Sequence, residues 1–141
     1  MSKQIDPRGP RFGAAITTLV LAATLVAIPS TTATVLLGIQ TVVFALGAFV
    51  GLHAQPYGIL YRKLVAPKLG KPTELEAVEP PQFAQLVGFL FAATGLIAIL
   101  AGADLVATIA VAFALGAAFL NAVFNFCLGC EMYLIGKRIF S

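Results

Sequence analysis

Charge is the first thing this chain lacks: only 11% of its 141 residues are Asp, Glu, Lys or Arg, while 60% are hydrophobic and the mean hydropathy is +0.97. No ordinary soluble domain of this length has that balance, and the reading is an integral membrane protein of one domain. Tryptophan is absent and tyrosine occurs three times, so any aromatic belt at the membrane surfaces falls to Phe and a few Tyr. A single histidine leaves too few soft ligands for a closed zinc site of four Cys and His within one chain. The formal net charge of +3 is small and scattered between apolar runs, which excludes a nucleic-acid footprint and reads as a topology signal. There is no internal repeat and no low-complexity segment.

Four long apolar runs are present instead. A polar arm, MSKQIDPRGPR, precedes the first, which covers about residues 12–28. Its length is at the short end of what crosses about 30 Å of hydrocarbon at about 1.5 Å per residue. A basic start, an apolar stretch and small residues near Thr32-Ala33 also describe a secretory signal, but the run is long for one and is kept as a helix. The second run covers about 34–52, with Gln40 as its only strongly polar side chain and Gly47-x-x-x-Gly51 as a close-packing signal. Residues 53–82 change character, with four basic residues, three Glu and five of the eight prolines. Within them Ile59, Leu60, Leu64 and Val65 fall on one side of a short helix and Arg62 and Lys63 on the other, as in an interfacial segment that Pro67 and Pro72 then break. The third run covers about 83–103, after the rigid lead-in Pro80-Pro81, and the fourth about 105–128, with Asp104 as its N-cap. The expected fold is an all-α integral membrane bundle of four transmembrane helices, with an interfacial segment between the second and third.

With these spans all nine basic residues fall on one side, and the connections at 29–33 and 102–104 carry none. By the positive-inside rule that side is cytoplasmic, so the expectation is a multi-pass protein of the inner (plasma) membrane with both termini in the cytoplasm.

The chemistry-bearing residues concentrate in Asn121-Ala-Val-Phe-Asn-Phe-Cys-Leu-Gly-Cys-Glu-Met-Tyr133. Cys127 and Cys130 are the candidate catalytic pair: they share a helix face, and at a cytoplasmic membrane edge a Cys-x-x-Cys is redox-active, sulfur-carrying or metal-binding rather than a structural disulfide. The bland alternative is that both are small buried apolar fillers. Glu131 beside them is a candidate proton shuttle. An unbroken helix would place the pair at its negative end, where the thiolate is disfavoured. A break at Gly129 would make residues 130–139 a new helix and Cys130 the attacking thiolate at its start. Asn121 and Asn125, one turn apart, and Gln40 are candidate binding residues along a polar path, although intramembrane amides more often glue helices together, with Gln40 and Gln85 as partners for the Asn pair. His53 with Cys127, Cys130 and Glu131 is one conceivable metal set and a Cys₄ dimer another, but no metal or other cofactor is expected.

With Asp6-Pro-Arg-Gly-Pro-Arg-Phe12, Glu79-Pro-Pro-Gln-Phe-Ala-Gln85, Leu120-Asn121 and Cys127-Leu-Gly-Cys-Glu-Met-Tyr133 in place, the chain resembles an uncharacterised family of small bacterial membrane proteins described only as a domain of unknown function. In layout it also looks like the four-helix DoxX and MauE group of membrane redox proteins. The family tends to be encoded near thioredoxin-like and rhodanese-like sulfurtransferase genes, and the resemblance therefore implies a thiol or sulfur-handling role with such a cytoplasmic partner. Besides the lipid bilayer, a homo-oligomer is the other partner considered. The residues leave three functions open: a membrane-anchored dithiol or sulfur relay, a transporter of a small solute or sulfur species, and a non-catalytic membrane subunit or metal-binding anchor.

Overall fold

The computed structural model describes residues 4–5, 8–70, 75–77, 79–124 and 126–140. Four of its helices are long and apolar enough to cross a membrane: α1 (Arg8–Ala27), α2 (Thr31–Ala45, continued by a wider π-helical turn Leu46–Val50), α5 (Glu79–Leu100) and α6 (Asp104–Phe124). Between α2 and α5 lie the short helices α3 (Pro56–Leu60) and α4 (Ala66–Leu69), and the chain closes with α7 (Leu128–Phe140). A two-residue antiparallel pairing joins β1 (Gln4–Ile5) to β2 (Glu76–Ala77), with Gln4 opposite Ala77 and Ile5 opposite Glu76. The expected all-α bundle of four apolar helices is therefore present.

Helix ends follow local chemistry more than hydropathy. α1 starts ahead of its apolar run because Pro10 fits a first turn, where its missing N–H is not needed. Pro80 and Pro81 sit in the first turn of α5 for the same reason, and Pro67 opens α4 rather than ending a helix. Ser30 caps α2 by accepting the Ala33 N–H at 3.4 Å. At the far end of α5, Gly102 adopts a positive φ of 81°. Its N–H reaches the Ile99 carbonyl and the Ala103 N–H reaches that of Ala98, which satisfies the last carbonyls of the helix. Asp104, expected as a cap, is the first residue of α6, where an acidic residue still suits the positive helix end.

The spans form a ring in which α1 packs on α2 and α6, and α5 packs on α2 and α6. Leu21, Leu37, Ala92, Ala107 and Val111 fill its centre, fully buried. Small residues set the spacing: a Cβ on Gly95 would stand 3.2 Å from both Leu37 and Val111. Gly47 likewise lets the Gln85 side chain of α5 lie against α2, for a Cβ there would be 2.6 Å from Gln85 Oε1. Gly51, the other end of the small-residue spacing, plays a different part, turning the chain out of α2 with φ of 139°. The outward faces carry exposed Leu19, Ile39, Phe49, Leu90, Ile97 and Ile109. An apolar exterior of that extent suits hydrocarbon and not water.

Candidate functional site

The site begins where α6 stops. The Phe126 N–H folds back onto the Leu120 carbonyl at 3.1 Å. From α1, the Arg11 guanidinium donates to the carbonyls of Ala122 (Nε, 3.0 Å) and Val123 (Nη2, 3.3 Å). Those are among the carbonyls a helix leaves without partners at its C-terminus, and a cation there also meets the negative end of the helix. The helix break therefore precedes Gly129, and residues 130–139 do not begin a helix of their own: α7 begins at Leu128. Cys127 takes the capping position, its carbonyl accepting the Glu131 N–H at 3.0 Å and its Sγ the Cys130 N–H at 3.1 Å. Cys130 lies inside the first turn, and the two sulfurs are joined as a disulfide with the Cα atoms 5.1 Å apart.

Gly129 has its own role. It is buried against α5, and a Cβ there would lie 2.5 Å from Ala84 Cα and 2.6 Å from Ala84 Cβ. The second of the two residues between the cysteines is thus the point at which α7 touches α5 backbone to backbone. The rings of Phe83 and Tyr133, 5.8 Å apart, continue the same contact outward.

Behind the disulfide lies a cavity of about 500 Å³, walled by α1, α2, α5, α6 and α7. Its apolar wall includes Phe44, Phe91 and Phe113, and its polar groups are Thr17, Gln85, Asn121 and Glu131 beside the two cysteines. Phe113 is 64% exposed on the outer face of α6, and Glu131 and Met132 are exposed on α7, so the cavity opens on that side.

The expected site residues divide. Cys127, Cys130, Glu131 and Asn121 meet around the cavity. Asn125 lies outside the described residues. Gln40 is not on the cavity wall; it is fully buried, donating to Thr17 Oγ1 at 3.4 Å and accepting from the Tyr57 hydroxyl at 2.7 Å. Burial raises the Tyr57 phenol above its ordinary pKa and keeps it in the donating form. Gln85 reaches the wall but bonds Gln55, at 2.8 Å, rather than an Asn. The Asn121 side chain has no hydrogen bond among the described residues. His53 is exposed, with its carbonyl held by Arg62. Among the described residues no group of three or more His, Cys, Asp and Glu could hold a metal ion.

Several of these partners were not singled out from the sequence. Gln55 before Pro56 is a helix-start signature, and Gln55 does cap α3 by accepting the Gly58 N–H at 3.0 Å. Arg11 carried no signal beyond its charge.

The family model for a domain of unknown function, DUF4395, matches residues 5–138. The chain belongs to the DUF4395 family. Membership extends over both ends of the bundle, so most of the arm, the interfacial segment and the cysteine pair fall inside the DUF4395 match. No curated protein and no solved structure matches the chain.

Proposed function

We propose that this DUF4395 protein is a membrane-embedded dithiol–disulfide carrier that works at the cytoplasmic face through Cys127 and Cys130. The carrying observation is the disulfide at the start of α7, with Cys127 Sγ accepting an N–H of the first turn. In the reduced protein the same N–H and the positive end of α7 favour a thiolate at Cys127, which makes it the nucleophile and Cys130 the resolving residue. The Cys127 thiolate attacks a disulfide of a thioredoxin-like protein, one partner sulfur leaves as a thiolate, and a mixed disulfide forms. Cys130 then attacks Cys127 Sγ, closing the internal disulfide and releasing the partner with both thiols reduced. The reverse sequence returns the electrons. Glu131, exposed beside the pair, takes and returns the Cys130 proton. A rhodanese-like partner would deliver sulfane sulfur to the same nucleophile, so sulfur relay is a variation on this site and needs no other one.

The cytoplasmic assignment rests on charge. Arg8 bonds the Gly70 carbonyl, Arg11 holds the end of α6, and β1 pairs with β2, which gathers the arm, the loop after α2 and the start of α7 at one end of the bundle. The connections at the other end, 28–30 and 101–103, carry no basic residue.

The test is trapping. Cys130→Ser is expected to accumulate a covalent adduct with a cytoplasmic protein, resolved by reductant, whereas Cys127→Ser forms none. A membrane-impermeant maleimide is expected to label the reduced pair in inverted vesicles and not in intact cells. Labelling from outside overturns the orientation, and two silent variants with wild-type growth overturn the carrier.

A further inference from the structure

The disulfide-bonded Cys127 and Cys130 both line the cavity, so a molecule bound against that wall lies beside the pair. Three features restrict the occupant. The site opens toward the apolar exterior at Phe113, so the compound arrives from the hydrocarbon phase. Phe44, Phe91 and Phe113 offer ring faces and edges, with Phe91 and Phe113 6.0 Å apart, which suits a flat conjugated ring. The carboxamide of Asn121, without a hydrogen bond among the described residues, and that of Gln85, whose one hydrogen bond there is to Gln55, present donors suited to carbonyl oxygens. The volume, about 500 Å³, falls in the range of small-molecule pockets.

A lipid-soluble, flat ring with hydrogen-bonding carbonyls that faces a dithiol has one chemistry in common with it, transfer of two electrons and two protons. We propose that the cavity is a quinone site and that the quinone is the oxidant that returns Cys127 and Cys130 to the disulfide, a proposal that rests on the dithiol reading above. Two S–H bonds break and one S–S bond forms; both electrons and both protons pass to the quinone, whose carbonyls become the two hydroxyls of the quinol. The pair then links a cytoplasmic thiol donor to a membrane electron acceptor: the partner dithiol is oxidised, the quinone is reduced, and the protein is unchanged after one cycle.

The test uses the full chain in nanodiscs, reduced with a phosphine, desalted and mixed with a decyl-substituted benzoquinone. The wild type is expected to consume about one quinone per chain as both thiols disappear, the balance required for a two-electron couple. Ala117→Phe, which fills the cavity from α6, is expected to slow this step by about tenfold or more while exchange with soluble thioredoxin stays within about twofold. In a turnover assay, with reduced thioredoxin supplied as electron donor, Asn121→Leu is expected to raise KM for the quinone about fivefold with kcat little changed, the pattern of a lost binding hydrogen bond. Thioredoxin exchange without any quinone reduction by the wild type refutes the quinone site and leaves the dithiol reading standing; loss of both refutes both. Quinone reduction at the wild-type rate by Ala117→Phe places the chemistry elsewhere and refutes the site. Should that variant fail to fold, an unchanged KM in Asn121→Leu refutes it.

Discussion

Two sets of amides sit in this bundle and behave in opposite ways. On the side of α1, α2 and α3, Gln40 is fully buried and bonded to Thr17 and Tyr57, and Gln55 is bonded to Gln85 while capping α3. On the side of α6 and α7, Asn121 has no such bond among the described residues and faces open volume. An amide in an apolar interior is stable only if its hydrogen bonds are made, by protein or by something that visits. The first set therefore holds helices together, whereas the Asn121 carboxamide makes no such tie among the described residues. α7 in turn is fixed mainly by close packing: its contact with α5 runs through Gly129 and Ala84.

Substitutions can break this contrast. The largest effect is expected at Gly129→Ala, whose new Cβ would meet the Ala84 backbone, which no rotamer change can relieve. Overpacking of this kind costs about 1–3 kcal/mol and here also moves the cysteine pair, so both thermal stability in detergent and thioredoxin exchange should fall. Gln40→Leu removes a bonded amide and strands the Tyr57 hydroxyl; a loss of about 1–3 kcal/mol is expected, read as a lower Tm with the cysteines still reactive. Arg11→Met frees two carbonyls at the end of α6, and a loss of about 1–2 kcal/mol should appear together with faster amide exchange around residues 122–130. Asn121→Leu should leave stability within about 0.5 kcal/mol, because no hydrogen bond among the described residues is lost. A Tm drop in Asn121→Leu as large as that in Gln40→Leu would erase the distinction between the two sets.

Much of the fold was legible because it rests on composition and local signals. Four uncharged runs marked the four long helices, and Pro29-Ser30 and Gly102-Ala103 marked the turns at one end. The candidate site was legible in its chemistry but not in its geometry. The cysteines, Glu131 and Asn121 stand out by type and spacing. The point where α6 stops does not, because Phe124, Phe126 and Leu128 continue an apolar pattern with no proline, and the carbonyls there are taken up by Arg11, 111 residues away from Ala122. Gly129 read as a helix breaker, whereas the structure uses its missing side chain to admit Ala84. The path of amides read from Asn121 to Gln40 is likewise altered by tertiary partners, since Thr17 and Tyr57 occupy Gln40. A cavity walled by five helices has no linear signature at all.

The Arg11 bond also ties the start of the chain to its end in time. At roughly 5–20 residues per second a ribosome needs on the order of ten seconds to travel from Arg11 to Ala122. Until α6 is made, the α1–α6 packing that closes the ring lacks one of its two helices. The carbonyls that Arg11 holds lie immediately before the turn that sets Cys127 at a helix start. The helix-start setting of Cys127 is therefore a property of the assembled bundle, complete only once its last span is in place.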